Sequence, residues 1–148
     1  MLFFTNSVFV ITPNTKESHE LAKEESHVDA ETVGKKLVSG LNTNILMTRG
    51  EKGMSLFENH NNTTNKTDKI IHLPTKAQEV FDVSGAGDTV VAALALCIAS
   101  GATLAESADI ANHAAGIVVG KIGTATLTRK ELLDSIHESN RVETHTRS

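Results

Sequence analysis

The stretch Asp82-Val-Ser-Gly-Ala-Gly-Asp88, followed directly by Thr89-Val-Val-Ala-Ala-Leu-Ala-Leu-Cys-Ile-Ala99, decides the fold. Three small residues, Gly85, Ala86 and Gly87, stand where a strand-like segment gives way to helical spacing. From Asp88 to Ser100 the chain is apolar nearly all round, which predicts a buried helix stopped by Gly101. Small side chains let a backbone approach a ligand closely. Amides at a helix start, aided by the dipole, bind anions. A phosphoryl group in transfer spreads its charge over its equatorial oxygens, and such a hole stabilises it. Asp88 stands at the mouth, where a carboxylate can take the proton of an attacking hydroxyl. The plainer alternative for an Asp at this position is a helix cap.

Working outward, Val8-Phe-Val-Ile-Thr12 is a β-branched run closed by Pro13 and predicts a buried strand, with Met1 to Ile11 as its apolar entry. Residues 17–40 are polar, with helical spacing at Val33, Leu37 and Val38 and Gly40 as the C-cap. Residues 44–48, 54–57 and 70–73 read as short strands, and the Asn-rich stretch 58–69 as a loop or hairpin tip. Its three N-x-S/T patterns, at Asn61, Asn62 and Asn65, carry little meaning without a secretion signal. Downstream, Thr103-Leu-Ala-Glu106 and Thr128-Arg-Lys-Glu131 have capping-box spacing and predict helices over 104–120 and 129–139, with a frayed polar tail from Asn140. Alternating strands and helices give an α/β class with a parallel sheet.

Composition narrows the function classes. The 148 residues suffice for one domain, and a net charge of -4 offers no basic field for nucleic acid. Trp and Tyr are absent, which argues against a base-stacking surface. The longest apolar run is half of what a bilayer requires, so no membrane partner is expected. The lone Cys97 reads as a small buried apolar side chain and fits a reducing cytoplasm. Seven scattered histidines form no metal-ligand spacing and read as surface or cap residues. Lys121 reads as a cation favoured at a helix C-terminus, with a phosphate contact as the alternative.

The string DVSGAGD closely resembles the second signature of the ribokinase-like (PfkB) family of carbohydrate kinases. The resemblance implies that Asp88 is the general base and that the backbone of Gly85, Ala86 and Gly87 forms the anion hole. Further strings fall in the family's order. Asn14-Thr-Lys-Glu17 matches an N-x-x-E motif that helps position Mg2+ and phosphate. The stretch Thr48-Arg-Gly50-Glu-Lys-Gly53 matches a T-x-G-x-x-G turn lining the ATP site, and Asn112 falls where the family places an Asn near the adenine. The resemblance also places a monovalent cation, K+ in type, beside Asp82, the Ser84 backbone and the region of Gly123, with Thr126 or Thr128 in place of a missing Ser. More narrowly, MTRGEKGM, HLPTKAQEVFDVSGAGDT and NHAAGIVVGKIGTATLT are similar to heptose 7-phosphate kinase domains of ADP-heptose synthesis.

The resemblance implies a three-layer ribokinase-like fold with a mainly parallel sheet, of which residues 1–148 form the C-terminal portion, ordered over about 8–139 and lacking the lid strands. It implies a sugar phosphate as small-molecule partner and either a homo-oligomer or a complementary N-terminal half. Without the lid, water is not excluded and the sugar is not positioned, so little or no kinase activity is expected of the chain alone. Three alternatives stay open: the heptose phosphate kinase, a kinase of the same family for another sugar or nucleoside, and a non-catalytic nucleotide-binding or assembly module.

Overall fold

The computed structural model describes residues 8–59, 69–123 and 125–146. The expected apolar entry before Val8, most of the Asn-rich tip and Thr124 lie outside them. Two compact units result, one of Met1–Gly50 with Met54–His72, the other of Glu51–Gly53 with Leu73–Ser148.

In the first unit, β1 (Val10–Ile11), β2 (Asn44–Thr48), β3 (Met54–Phe57) and β4 (Ile70–Leu73, whose last residue belongs to the second unit) line up in that order. Strands β1 and β2 run parallel, with Ile11 beside Ile45. Strands β2 and β3 run antiparallel, pairing Ile45 with Phe57 and Met47 with Ser55. The sheet is therefore mixed rather than mainly parallel. The five residues between Thr48 and Met54 are enough for a hairpin-like return and too few for a crossover.

Residues 17–40 form two helices, α1 (Thr15–Ala22) and α2 (Ala30–Leu41), each started by its own side-chain cap, Asn14 and Asp29. Gly40 is not the stop that its identity predicts. Helix α2 runs through it, and Asn42 takes the left-handed conformation that closes the helix. Strand alternation sends Ile45, Met47 and Phe57 to one face, where they pack with Ala22, Val33, Leu37 and Val38. Burial of each larger side chain contributes about 1.5–3 kcal/mol.

His19 on α1 corrects the surface assignment of the histidines. It is buried, with Nδ1 2.7 Å from the Thr15 carbonyl and Nε2 2.9 Å from the Val28 carbonyl. Two carbonyl acceptors are both satisfied only when both ring nitrogens carry protons. The Thr15 carbonyl first, then that of Val28 and the charge of Glu24, raise the His19 pKa above 6.5 against the opposing effect of burial. Because the folded value exceeds the unfolded one, this stabilisation is complete below pH 6.5 and is lost as pH rises through the raised value. Melting across pH 6–9 should show His19→Gln destabilised most at the acidic end, with the gap to the parent closing as pH rises. A pH-independent gap would contradict this.

The second unit holds α3 (Ala86–Ala99), α4 (Leu104–Val119) and α5 (Arg129–Thr146). Both predicted capping boxes form: Thr103 with Glu106, and Thr128 with Glu131. Helix α5 continues through the residues expected to fray. His113 on α4 is also buried, its Nδ1 2.8 Å from the Ser135 hydroxyl on α5. Burial, with the charge of Lys76, pushes its pKa down, so it sits neutral at that joint.

Helix α3 departs most from expectation. Only Val90 and Leu94 are buried, whereas Val91 and Leu96 are 49% and 70% exposed. The sequence supplies an all-round apolar helix, but within its unit α4 is its principal partner and covers one side.

Candidate active site

The residues singled out from sequence divide between the two units: Asn14, Glu17, Thr48 and Gly50 in the first; Gly53, residues 82–88 and Asn112 in the second.

In the first unit, Asn14 and Glu17 form a reciprocal cap. The Asn14 Oδ1 accepts the Glu17 amide at 2.9 Å, and Glu17 Oε2 accepts the Asn14 amide at 2.8 Å. The plainer expectation for N-x-x-E, a capped helix start, is thus realised. Glu17 keeps Oε1 outside the cap, which suits a magnesium ion reached through water, since that ion retains several waters. Among the described residues no cluster of three or more His, Cys, Asp or Glu could cage a metal. Thr48 is drawn to the same helix start: it bridges to Asn14 in parallel fashion, and its amide donates to the Pro13 carbonyl at 3.0 Å. Gly50, at φ 57°, begins a short 3-10 turn ending at Lys52.

In the second unit, Gly53 adopts φ 78° with its Cα pressed on the chain leaving β4. A Cβ there would lie 2.0 Å from the Leu73 carbonyl oxygen. Asn112 is buried, and its Nδ2 donates to the Pro74 carbonyl at 2.7 Å. Its amide therefore anchors the segment after β4.

The segment 82–88 begins with Asp82, whose amide, like that of Phe81, donates to the Val119 carbonyl at the end of α4. The Ser84 amide donates to Asp82 Oδ1 at 2.8 Å. This bond, with the Ser84 hydroxyl and the Gly123 amide, holds the Asp82 carboxyl below its usual range. Asp82 and Gly123 thus meet where the resemblance implies a monovalent cation, and an ionised oxygen suits one. Thr128 is spent elsewhere, its hydroxyl donating to Glu131 Oε2 at 2.9 Å. Lys121 pairs with Glu131 at 2.7 Å and donates to the Thr126 carbonyl. Lys121 first, and then the Thr128 amide and hydroxyl, push the Glu131 pKa down to about 2.

Gly85 opens α3 in the left-handed conformation, φ 77°, with no side chain capping the helix. Among the described residues, the other four α-helices begin with a side-chain cap. The Ala86 amide is already used, donating to the Val83 carbonyl at 3.2 Å, so one of the three amides expected in the anion hole is spent internally. The amides of Gly87 and Asp88 find no acceptor among the described residues outside α3. The Asp88 carboxylate is exposed and has no partner among the described residues, so it is not the cap that its position suggested. Towards the far end of α3, Cys97 is half-buried rather than fully so, and burial raises its thiol pKa. Among the described residues no helix is long and apolar enough to cross a membrane.

The pfkB family carbohydrate kinase model matches residues 3–131. Bifunctional protein HldE of Paramagnetospirillum magneticum is 46% identical over 134 residues, which is 88% of this chain and 26% of that protein. Its counterpart in Nitrosococcus oceani is 52% identical over 93 residues, 63% of this chain and 18% of that protein. The chain therefore spans about a quarter or less of these relatives. Ribokinase from Thermotoga maritima superposes with a TM-score of 0.74 at 27% identity, covering 86% of this chain and 42% of that one. Arabidopsis thaliana ribokinase complexed with ribose and ATP gives 0.72 at 26% identity, covering 87% and 41%. With the family model matched over residues 3–131 and the ribokinase-like fold present in part, the chain belongs to the pfkB family of carbohydrate kinases.

Proposed function

We propose that the chain is the nucleotide-binding and catalytic-base portion of an ATP-dependent kinase that phosphorylates O1 of D-glycero-D-manno-heptose 7-phosphate. The observation that carries this reading is the start of α3, where two amides and one carboxylate have no structural employment among the described residues. Asp88 takes the proton of the sugar hydroxyl as that hydroxyl oxygen forms the new bond to the γ-phosphorus and the bond from this phosphorus to the bridging oxygen breaks, so that ADP leaves with the electron pair, and the Gly87 and Asp88 amides face the oxygens of the phosphoryl group. Asn14 and Glu17 are the residues to hold Mg2+ through water; when bound, the ion offsets the negative charge of the phosphates. Asp82, with the Ser84 carbonyl, is the candidate K+ site. The HldE relatives favour the heptose phosphate over other sugars.

The open side of α3 supports a complementary half as partner. Val91 and Leu96, with Val80, Phe81 and Val83 just before the helix, are exposed apolar side chains in a chain that spans about two-fifths of the ribokinases it superposes on. The experiment is to assay ADP release and sugar phosphorylation with heptose 7-phosphate, ATP and Mg2+. The chain is tested alone and together with the part of the Paramagnetospirillum kinase domain that it does not match. Turnover only in the combination is expected. Turnover by the chain alone would defeat the incompleteness. Transfer to a different sugar but not to the heptose would select another family substrate, and nucleotide binding without transfer in any combination would leave an assembly module.

A further inference from the structure

On the helix-covered face of the sheet, polarity changes along the strands. At one end Ile45, Phe57 and Ile70 join the core with α1 and α2. Two residues further along each strand the same face carries Met47, Ser55 and His72, and beyond Met47 it reaches Arg49. Ser55 is fully buried, and a buried hydroxyl must find partners. It accepts from Arg49 Nη1 at 2.9 Å and lies 2.9 Å from His72 Nδ1. An arginine only donates, so the Ser55 proton is left for the imidazole.

The guanidinium itself is poorly matched. Arg49 is half-buried, and Ser55 takes one of its five N–H donors. Among the described residues no carboxylate pairs with it, although several lysines pair with carboxylates elsewhere. Glu17, the carboxylate at the adjoining helix start, is turned to the Asn14 amide. A partly desolvated cation without an anion is unfavourable, and a rigid fork of donors suits a phosphate. Arg49 also stands between Thr48 and Gly50 of the nucleotide turn.

We infer that Arg49 contacts the phosphates of the bound nucleotide and that Ser55, itself oriented against His72, is the positioning residue that presents the guanidinium. This rests on the nucleotide-binding reading above. The chain and its Arg49→Gln, Arg49→Lys and Ser55→Ala variants are titrated calorimetrically with ADP and with adenosine, and each is melted as a folding control. Arg49→Gln should weaken ADP about tenfold and leave adenosine unchanged, since charge-assisted bonds to phosphate are lost and contacts to the nucleoside are not. Arg49→Lys should recover part of the ADP affinity, and Ser55→Ala should lose about threefold through a loosened guanidinium. Unchanged ADP binding by Arg49→Gln, or equal losses for ADP and adenosine with a lowered Tm, would overturn the inference. If the parent chain binds neither ligand, the nucleotide reading itself fails and this inference with it.

Discussion

Replacing Asp88 with Asn in the complemented enzyme is expected to lower kcat by about 10²–10⁴-fold, the usual contribution of a positioned general base. The change keeps the shape and removes the ability to accept a proton. It should leave ADP binding and folding almost unaltered, because the Asp88 side chain has no hydrogen bond or ion pair among the described residues and Gly85, not Asp88, starts the helix. Only its favourable charge near the helix start is lost, about 0.3–1 kcal/mol. Steady-state rates and a thermal melt on the same preparation separate the outcomes. A variant that retains most of its rate would remove Asp88 from the chemistry. One that loses rate and fold together would return it to a structural role.

The second large effect is on stability. Gly53→Ala should destabilise the fold by about 3–5 kcal/mol, summing strained backbone and forced displacement. The residue sits at φ 78°, and the added methyl would meet the Leu73 oxygen at 2.0 Å and the Thr75 nitrogen at 2.5 Å. Those are backbone atoms of the chain leaving β4 and cannot swing aside as a side-chain end would. Gly50→Ala provides the contrast: its φ is 57°, yet nothing lies within 4 Å of the added carbon. It should cost only about 1–2 kcal/mol, the penalty of the left-handed conformation. Denaturant unfolding of the two variants measures the difference. Equal effects would mean that the close approach at Gly53 relaxes freely.

The difference between these two glycines was not visible in T-x-G-x-x-G, where both are simply required small residues. Local signals served well wherever the physics was local. The strands 44–48, 54–57 and 70–73 and the boxes Thr103–Glu106 and Thr128–Glu131 form as their patterns predict. The break between α1 and α2 was also available, since Asn14–Glu17 and Asp29–Thr32 are both cap spacings, but a polar run masked it. What sequence could not supply was the neighbour. The buried Asn112 finds its acceptor 38 residues away, and Ser55 meets His72 across 17. Apolarity around α3 is a statement about transfer from water and says nothing of what is there to receive the helix. The polar run around His19 likewise gave no hint that it would be enclosed, whereas the Ala-rich, Val-rich surroundings of His113 were a signal of burial that went unused.

The bare flank of α3 also bears on how the polypeptide fares after synthesis. Leu96 and Val91 offer the oily contact that holdase chaperones and proteases use to sort unfinished products. Lifetime in the cell should therefore follow the supply of whatever shields that helix, and overproduction without it should favour inclusion bodies over soluble yield.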